Sequence, residues 1–162
     1  MKERLGIDIG GVIISKSGGG SDTSFSREGL LDTPEVPGAF EVISRLVNER
    51  FDTRVFLVSK CGPRVQAKTW RWLKHYRFFD RTGVKPRQVY FCLARSEKAE
   101  ICRRLKITHF IDDRRDVLER LQDIDCLLLD RDGTANRRLL PSIRVVKSWD
   151  EIAQVLLAGS TR

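Results

Sequence analysis

The chain has 162 residues, of which 41% are hydrophobic and 32% are charged, a composition that suits one domain with a buried core and excludes a disordered or fibrous chain. An excess of 30 Lys and Arg over 22 Asp and Glu gives a net charge of +8, which indicates either polyanionic partners or an ordinary solvated basic surface. No apolar run approaches the roughly 20 residues of a membrane span. Because Asp8 interrupts the first apolar run too early for a secretory signal, we expect a cytoplasmic protein.

Short apolar runs alternate with amphipathic segments along the chain. The alternation predicts an α/β fold, a Rossmann-like three-layer αβα sandwich with a mainly parallel sheet. We expect one domain over residues 1–162, with a Gly/Ser-rich flexible flap at 14–36 and no cap domain. The predicted strands are 5–7, 55–58, 89–93, 109–111, 126–129 and, as an edge strand, 143–146. The predicted helices are 39–47, 65–76, 101–105 with Ser96 as a cap, 117–121, and 149–156 opened by a Ser148-x-x-Glu151 capping box.

Polar side chains end several of the predicted strands, namely Asp8, Ser59, Asp112 with Asp113, and Asp130. In an open α/β sheet, ligands bind outside the carboxyl ends of the strands. Carboxylates that converge there repel one another unless a cation lies among them, and oxygen ligands favour Mg²⁺. Any single strand-end aspartate has the alternative interpretation of a turn or helix cap.

Lys98 occupies an unusual position for a lysine. It shares the predicted core-facing stripe of its helix with Ile101 and Leu105, and it lies in the first turn, where the helix dipole disfavours cations. We predict that it faces an anion. The alternative is a surface lysine paired with Glu97 or Glu100.

These residues, in this order, resemble the four motifs of the haloacid dehalogenase (HAD) superfamily of aspartyl-phosphate phosphatases. The resemblance covers about residues 4–116, and its specificity comes from the ordered set, because each motif alone is weak. The matching segments are residues 6–13, residues 56–60, Ser96-Glu97-Lys98-Ala99 and residues 109–114.

The resemblance implies a phosphatase in which Asp8 is the nucleophile. Ser59 would hydrogen-bond the phosphoryl oxygens, Lys98 would neutralise their charge, and Lys60 would join them in binding the substrate. Lys85, followed by proline, resembles the lysine of other branches of the superfamily and is the alternative to Lys98.

The resemblance also implies a magnesium site. Its ligands would be the carboxylates of Asp8, Asp112 and Asp113 and the main-chain carbonyl of Gly10. The superfamily usually carries an aspartate at the position of Gly10, as general acid and base. The glycine predicts weak protonation of the leaving group. The alternative function is therefore a catalytically weak HAD-fold module that binds a phosphorylated or nucleic-acid partner.

A second segment, Asp130 to Thr134, matches the first motif letter for letter. Only 28 residues follow Thr134, too few to supply the remaining motifs without circular permutation. We predict a strand followed by an Asp-Gly turn, with Asp130 at the rim of the site as a further possibility.

The resemblance also implies a substrate class, because members of the superfamily without a cap tend to act on large substrates or to be lidded by a partner subunit. A nucleic-acid or phosphoprotein phosphate is therefore compatible with the basic charge. Trp70 and Trp72, with nearby basic residues, predict either a base-stacking patch or one helix with a core face and a solvated face.

Three of the cysteines lie in apolar segments of the sequence, and we predict that they are core residues and do not form a zinc site. They are Cys92, Cys102 and Cys126.

Overall fold

The computed structural model describes residues 2–16, 30–135 and 138–158. Its six strands form one sheet in the order β3-β2-β1-β4-β5-β6, and every neighbouring pair is parallel. This order reverses between β1 and β4, so the crevice at their carboxyl ends is the expected ligand site. The strands are β1 (Leu5–Ile7), β2 (Val55–Lys60), β3 (Val89–Cys92), β4 (His109–Asp112), β5 (Asp125–Leu129) and β6 (Ile143–Val146).

All five predicted helices are present, and one further short helix is not marked by a periodic pattern in the sequence. Shorter helical turns lie at Leu30–Asp32, Val47–Phe51 and Pro86–Gln88. The helices are α1 (Ala39–Leu46), α2 (Pro63–His75), α3 (Phe78–Thr82), α4 (Arg95–Arg104), α5 (Arg115–Leu118) and α6 (Trp149–Leu157).

The sheet has a hydrophobic core on each face. Val55 and Leu57 of β2 belong to the core under α1, α2, α3 and α6, whereas Phe56 and Val58 belong to the core under α4 and α5. Alternate residues of a strand point to opposite faces, so a strand that is apolar throughout must be covered on both sides. The predicted three-layer αβα sandwich is confirmed.

Gly6 allows the central strands β1 and β4 to pack as they do. A Cβ atom at Gly6 would lie 2.5 Å from the Phe110 ring, which belongs to the neighbouring residue of β4. Because a side chain there would displace that ring, the glycine helps to set the two strands whose ends carry the site.

One local prediction about the helices is wrong. Ala94, not Ser96, is the N-cap of α4, and Ser96 lies in the first turn.

Of the two interpretations of Trp70 and Trp72, the structure supports one helix with a core face. Trp72 is fully buried and its indole N–H donates to the Thr33 carbonyl at 2.8 Å. Trp70 is half-buried and packs against the rings of Phe79 and Phe91.

One of the two hydrogen bonds of the predicted capping box at α6 is present. The Ser148 hydroxyl accepts a hydrogen bond from the Glu151 N–H at 3.1 Å, whereas the Glu151 carboxylate accepts from Lys147 N–H instead of Ser148.

The prediction that three cysteines lie in the core is confirmed, because all three are buried and free. They are Cys92, Cys102 and Cys126.

Most of the predicted flap lies outside the described residues. Its two ends are joined, since Ile14 pairs with Glu35 in an antiparallel bridge and the Ser15 N–H donates to the Pro34 carbonyl at 3.0 Å. The described part of the chain contains no cap domain and no helix that is long and apolar enough to cross a membrane.

Candidate active site

The predicted strand-end side chains meet at the crevice between β1 and β4. Asp8 directly follows β1, Asp112 ends β4, and Asp113 comes next. An oxygen of each carboxylate lies within 4.8 Å of the others. Ser59, the penultimate residue of the neighbouring β2, lines the same cavity as Asp8. The predicted convergence of these residues is confirmed.

Lys98 lies between two of the carboxylates. Its Nζ donates to Asp8 Oδ1 and to Asp112 Oδ2, at 3.0 Å in both cases, and its side chain is only 3% exposed. The prediction that it faces an anion is therefore confirmed. The alternative Lys85 is exposed and precedes β3, at the amino end of the sheet. The structure therefore places Lys98, and not Lys85, beside Asp8.

Burial and charge oppose each other in this cluster. Burial raises the pKa of Asp8 and raises the pKa of Asp112 well above its usual range, and the Lys98 ammonium partly offsets both effects. Burial lowers the pKa of Lys98, but the two carboxylates outweigh it, so the net shift is upward and the amine stays protonated. Two ammonium groups, those of Lys98 and Lys16, contact the three carboxylates, so the acids outnumber the cations bound to them.

The donor set fits a divalent metal ion. Asp113 Oδ1 is buried and has no hydrogen-bond partner among the described residues, while Asp113 Oδ2 accepts from Lys16 Nζ at 2.8 Å. An unpaired buried carboxylate oxygen is costly unless a cation binds it. Since all the available side-chain donors are oxygens, the cluster suits Mg²⁺ better than a softer metal.

A cavity of about 270 Å³ opens at this cluster. One wall is the start of α2, where Gly62 provides no side-chain cap, so the helix N-terminus offers free N–H groups and a positive dipole end to anions. Its lining residues are Asp8, Gly10, Lys16, Ser59, Lys60, Cys61, Gly62, Val65, Leu93, Arg95, Lys98, Asp113, Arg114 and Val117.

Four lining residues were not identified from the sequence: Lys16, Cys61, Arg95 and Arg114. Arg114 directly follows the paired aspartates, which was the only sequence signal among the four. Lys16 pairs with Asp113 across 97 positions of the chain, a contact that no local spacing reveals. Burial raises the pKa of the Cys61 thiol to about 11, with a partial offset from its hydrogen bond to Ser59.

Gly10 and Gly11 differ in what they would tolerate. A Cβ at Gly10 would meet no atom within 4 Å, and this residue lies outside the left-handed region. Gly11 has a φ of 79°, and a Cβ there would lie 2.3 Å from Asp113 Oδ2. Because neither sterics nor backbone conformation requires glycine at position 10, an aspartate side chain fits there.

The second motif-like segment is a turn. Asp130 Oδ1 accepts from the Thr134 N–H at 3.0 Å, and Asp130 Oδ2 accepts from the Ala135 N–H at 2.9 Å. The predicted strand followed by an Asp-Gly turn is confirmed. Asp130 does not line the cavity formed by the described residues, so its carboxylate caps its own loop.

The parallel strand order, with carboxylates at the switch point, is the arrangement that the resemblance in the motifs implied. Comparison with solved structures shows that the chain shares its fold with HAD phosphatases and hydrolases. No family model matches the chain.

Two solved structures match nearly the whole chain. One is D,D-heptose 1,7-bisphosphate phosphatase from Burkholderia thailandensis, with 19% identity, a TM-score of 0.67, and coverage of 97% of this chain and 99% of that one. The other is YfnB from Bacillus subtilis, provisionally named as a HAD-hydrolase and solved with magnesium, with 13% identity, a TM-score of 0.66, and coverage of 96% and 99%. A dehalogenase with an intermediate complex matches at 15% identity and a TM-score of 0.54, covering 76% of this chain and 57% of that one.

One curated relative matches in sequence, a protein of Oceanobacillus iheyensis provisionally named as a nucleotidase. It is 25% identical over 123 residues, which are 76% of this chain and 62% of the relative. The chain thus spans about three fifths of the length of this relative.

Proposed function

We propose that the protein is a Mg²⁺-dependent phosphatase that hydrolyses a phosphomonoester through an aspartyl-phosphate at Asp8. The observation that carries the proposal is the contact of Lys98 with both Asp8 and Asp112, next to the unpartnered oxygen of Asp113. Two of the similar proteins are named as a phosphatase and a nucleotidase, and both names denote hydrolysis of phosphate esters.

The chemistry has two steps. A carboxylate oxygen of Asp8 attacks the phosphorus atom, the ester P–O bond breaks, and the leaving oxygen takes a proton from water. Water then attacks the phosphorus of the acyl phosphate, which releases inorganic phosphate and restores Asp8. Ser59 donates a hydrogen bond to the phosphoryl group and Lys98 neutralises its charge, while Lys60 binds the substrate from the cavity wall.

The magnesium ligands in this proposal are the carboxylates of Asp8, Asp112 and Asp113 and the carbonyl of Gly10. The bound ion would supply positive charge against the phosphoryl oxygens, which otherwise repel an anionic nucleophile. Lys98 stays protonated between Asp8 and Asp112, so it holds Asp8 in place and contributes a second positive charge.

Gly10 limits which substrates react well. A general acid contributes about 10²–10⁴-fold to such reactions, and no carboxylate occupies this position. The leaving groups of aryl and acyl phosphates depart without being protonated, whereas the oxygen of an alkyl leaving group needs a proton. This feature favours a second candidate function, a catalytically weak module that binds a phosphorylated or nucleic-acid partner in the cytoplasm.

The deciding experiment is turnover of p-nitrophenyl phosphate and acetyl phosphate, with Mg²⁺ and with EDTA. We expect measurable hydrolysis that EDTA abolishes and Mg²⁺ restores. Asp130→Asn is the matched control, because this aspartate lies outside the cavity and should leave turnover unchanged. Folded protein that binds Mg²⁺ but hydrolyses neither compound would refute the enzyme and support the binding module.

A further inference from the structure

The cavity carries more positive charge than one phosphoryl group requires. Among the described residues, five cationic side chains line it, against two carboxylates. Lys98 is held by the carboxylates of the reaction centre, and Lys16 is paired with Asp113. The other three lining cations, Lys60, Arg95 and Arg114, do not contact the three clustered carboxylates through any ion pair that the described residues show.

Lys60 ends β2 next to Ser59. Its side chain is exposed and forms no ion pair with any residue in the described ranges. For an exposed lysine on a cavity wall, binding an anion costs little free energy, because no existing ion pair has to break. Lys60 is thus free to pair with a ligand group.

Arg95 is positioned on the same cavity by a neighbouring acid. Its Nη1 donates to Asp116 Oδ2 at 2.8 Å, and Arg114 Nε lies 3.6 Å from Asp116 Oδ1. A guanidinium has five N–H donors in a rigid plane, so this contact fixes its orientation and leaves other donors for a ligand. Its side chain is 34% exposed.

Apolar side chains share the lining with these cations. Val65, Leu93 and Val117 all line the cavity, and Leu93 is 63% exposed. Apolar walls with a few convergent charges are typical of sites for small molecules rather than for polymer backbones.

We propose that Lys60 and Arg95 form a second anion site, so that the substrate is a small molecule carrying a phosphate or carboxylate in addition to the phosphoryl group that reacts. This proposal rests on the proposed function, because it takes the Asp8 cluster as the site of the first phosphoryl group. In either case, the substrate carries a second anionic group that a short apolar linker joins to the reacting phosphate.

The test compares length-matched phosphonates, which bind but cannot be hydrolysed. The pairs are ethylphosphonate with phosphonoacetate, propylphosphonate with phosphonopropionate, and butylphosphonate with phosphonobutyrate. Isothermal titration calorimetry with Mg²⁺ gives the Kd of each. For the pair of matching length, we expect the carboxylate to bind about tenfold more tightly, as one charge-assisted contact provides. A bisphosphonate of that length distinguishes a second phosphate from a carboxylate.

Variants assign the effect to the two side chains. Lys60→Met and Arg95→Met keep the aliphatic stem, and each should reduce the carboxylate preference severalfold towards equal binding. Arg71→Met and Lys74→Met are the matched controls, because they remove exposed cations of α2 that do not line the cavity. The preference should persist in both controls. Its loss in the Lys60 and Arg95 variants alone would exclude chelation of Mg²⁺ by the ligand carboxylate as its source.

The possible failures are distinguishable. Equal binding within every pair by wild-type protein that hydrolyses p-nitrophenyl phosphate would overturn the second anion site and leave the phosphatase intact. A carboxylate preference that survives in both the Lys60 and Arg95 variants would overturn it as well. Absence of turnover with a preserved preference would refute the phosphatase and keep the two-anion ligand.

Discussion

The Nζ of Lys98 lies 3.0 Å from Asp8 Oδ1, although 90 positions separate the two residues in the chain. The contact joins the start of α4 to the carboxyl end of β1. It keeps a buried carboxylate beside a permanent positive charge, in the place where a phosphoryl group would need both.

Removing the ammonium should affect both catalysis and stability. Lys98→Met leaves Asp8 and Asp112 buried without their shared partner, which costs about 3 kcal/mol in comparable buried pairs. We expect a lower free energy of unfolding by urea with the metal removed, and turnover reduced by about 10² or more. Lys74→Met, on an exposed position of α2, should change neither quantity. Wild-type turnover in Lys98→Met would contradict its role.

The metal prediction concerns Asp112 and Asp113. The double variant Asp112→Ala, Asp113→Ala removes two of the three clustered carboxylates, so Mg²⁺ binding measured by calorimetry should be lost together with turnover. Asp113→Asn tests the unpartnered oxygen more gently, and should weaken Mg²⁺ binding while the fold is kept. Unchanged affinity for Mg²⁺ in the double variant would place the metal elsewhere.

Gly10→Asp should install the missing acid. The position has open space for a Cβ and no left-handed backbone, so the variant should fold normally. We expect the rate on a simple alkyl phosphate to rise about tenfold or more, with little change on p-nitrophenyl phosphate. Gly11→Asp is the control, because its side chain would clash with Asp113 and reduce both rates. Equal effects of Gly10→Asp on the two substrates would argue against acid catalysis.

Cys61 should not act as a nucleophile despite lining the cavity. Its pKa is raised to about 11 by burial, so the thiol is protonated at neutral pH and only the thiolate is reactive. Cys61→Ala should retain turnover within a few-fold of wild type. Alkylation of Cys61 by iodoacetamide should be slow at pH 7 and accelerate as the pH approaches about 11. Rapid alkylation at neutral pH would show a reactive thiol.

Much of the fold follows from local sequence patterns. Strands such as Val55–Lys60 are apolar on both faces, which only a covered parallel sheet satisfies. The five-residue helix Phe78–Thr82 was missed because its two phenylalanines complete no helical period and tertiary packing against Phe40 stabilises it. Ser96 failed as a cap because α4 begins two residues earlier than a cap at Ser96 implies.

The central cluster of the site could be predicted from the sequence, whereas the outer cavity residues Lys16 and Arg95 could not. Asp8, Ser59 and Asp112 each occur at the carboxyl end of a strand, and the parallel sheet brings such ends together. Lys16 reaches the cavity from a loop and Arg95 from the first residue of α4, so their contacts depend on the folded path of the chain. Their pairing with Asp113 and Asp116 leaves no periodic signal in the sequence.

The most direct test of the account is whether Asp8 carries the phosphoryl group. Wild-type protein is mixed with acetyl phosphate and Mg²⁺, quenched in acid within the first turnovers, digested and mapped by mass spectrometry. We predict a phosphoryl group on the peptide that contains Asp8, absent from Asp8→Asn, which should fold normally and have no turnover. Steady turnover by wild type without phosphorylated Asp8, or turnover retained in Asp8→Asn, would contradict the covalent mechanism.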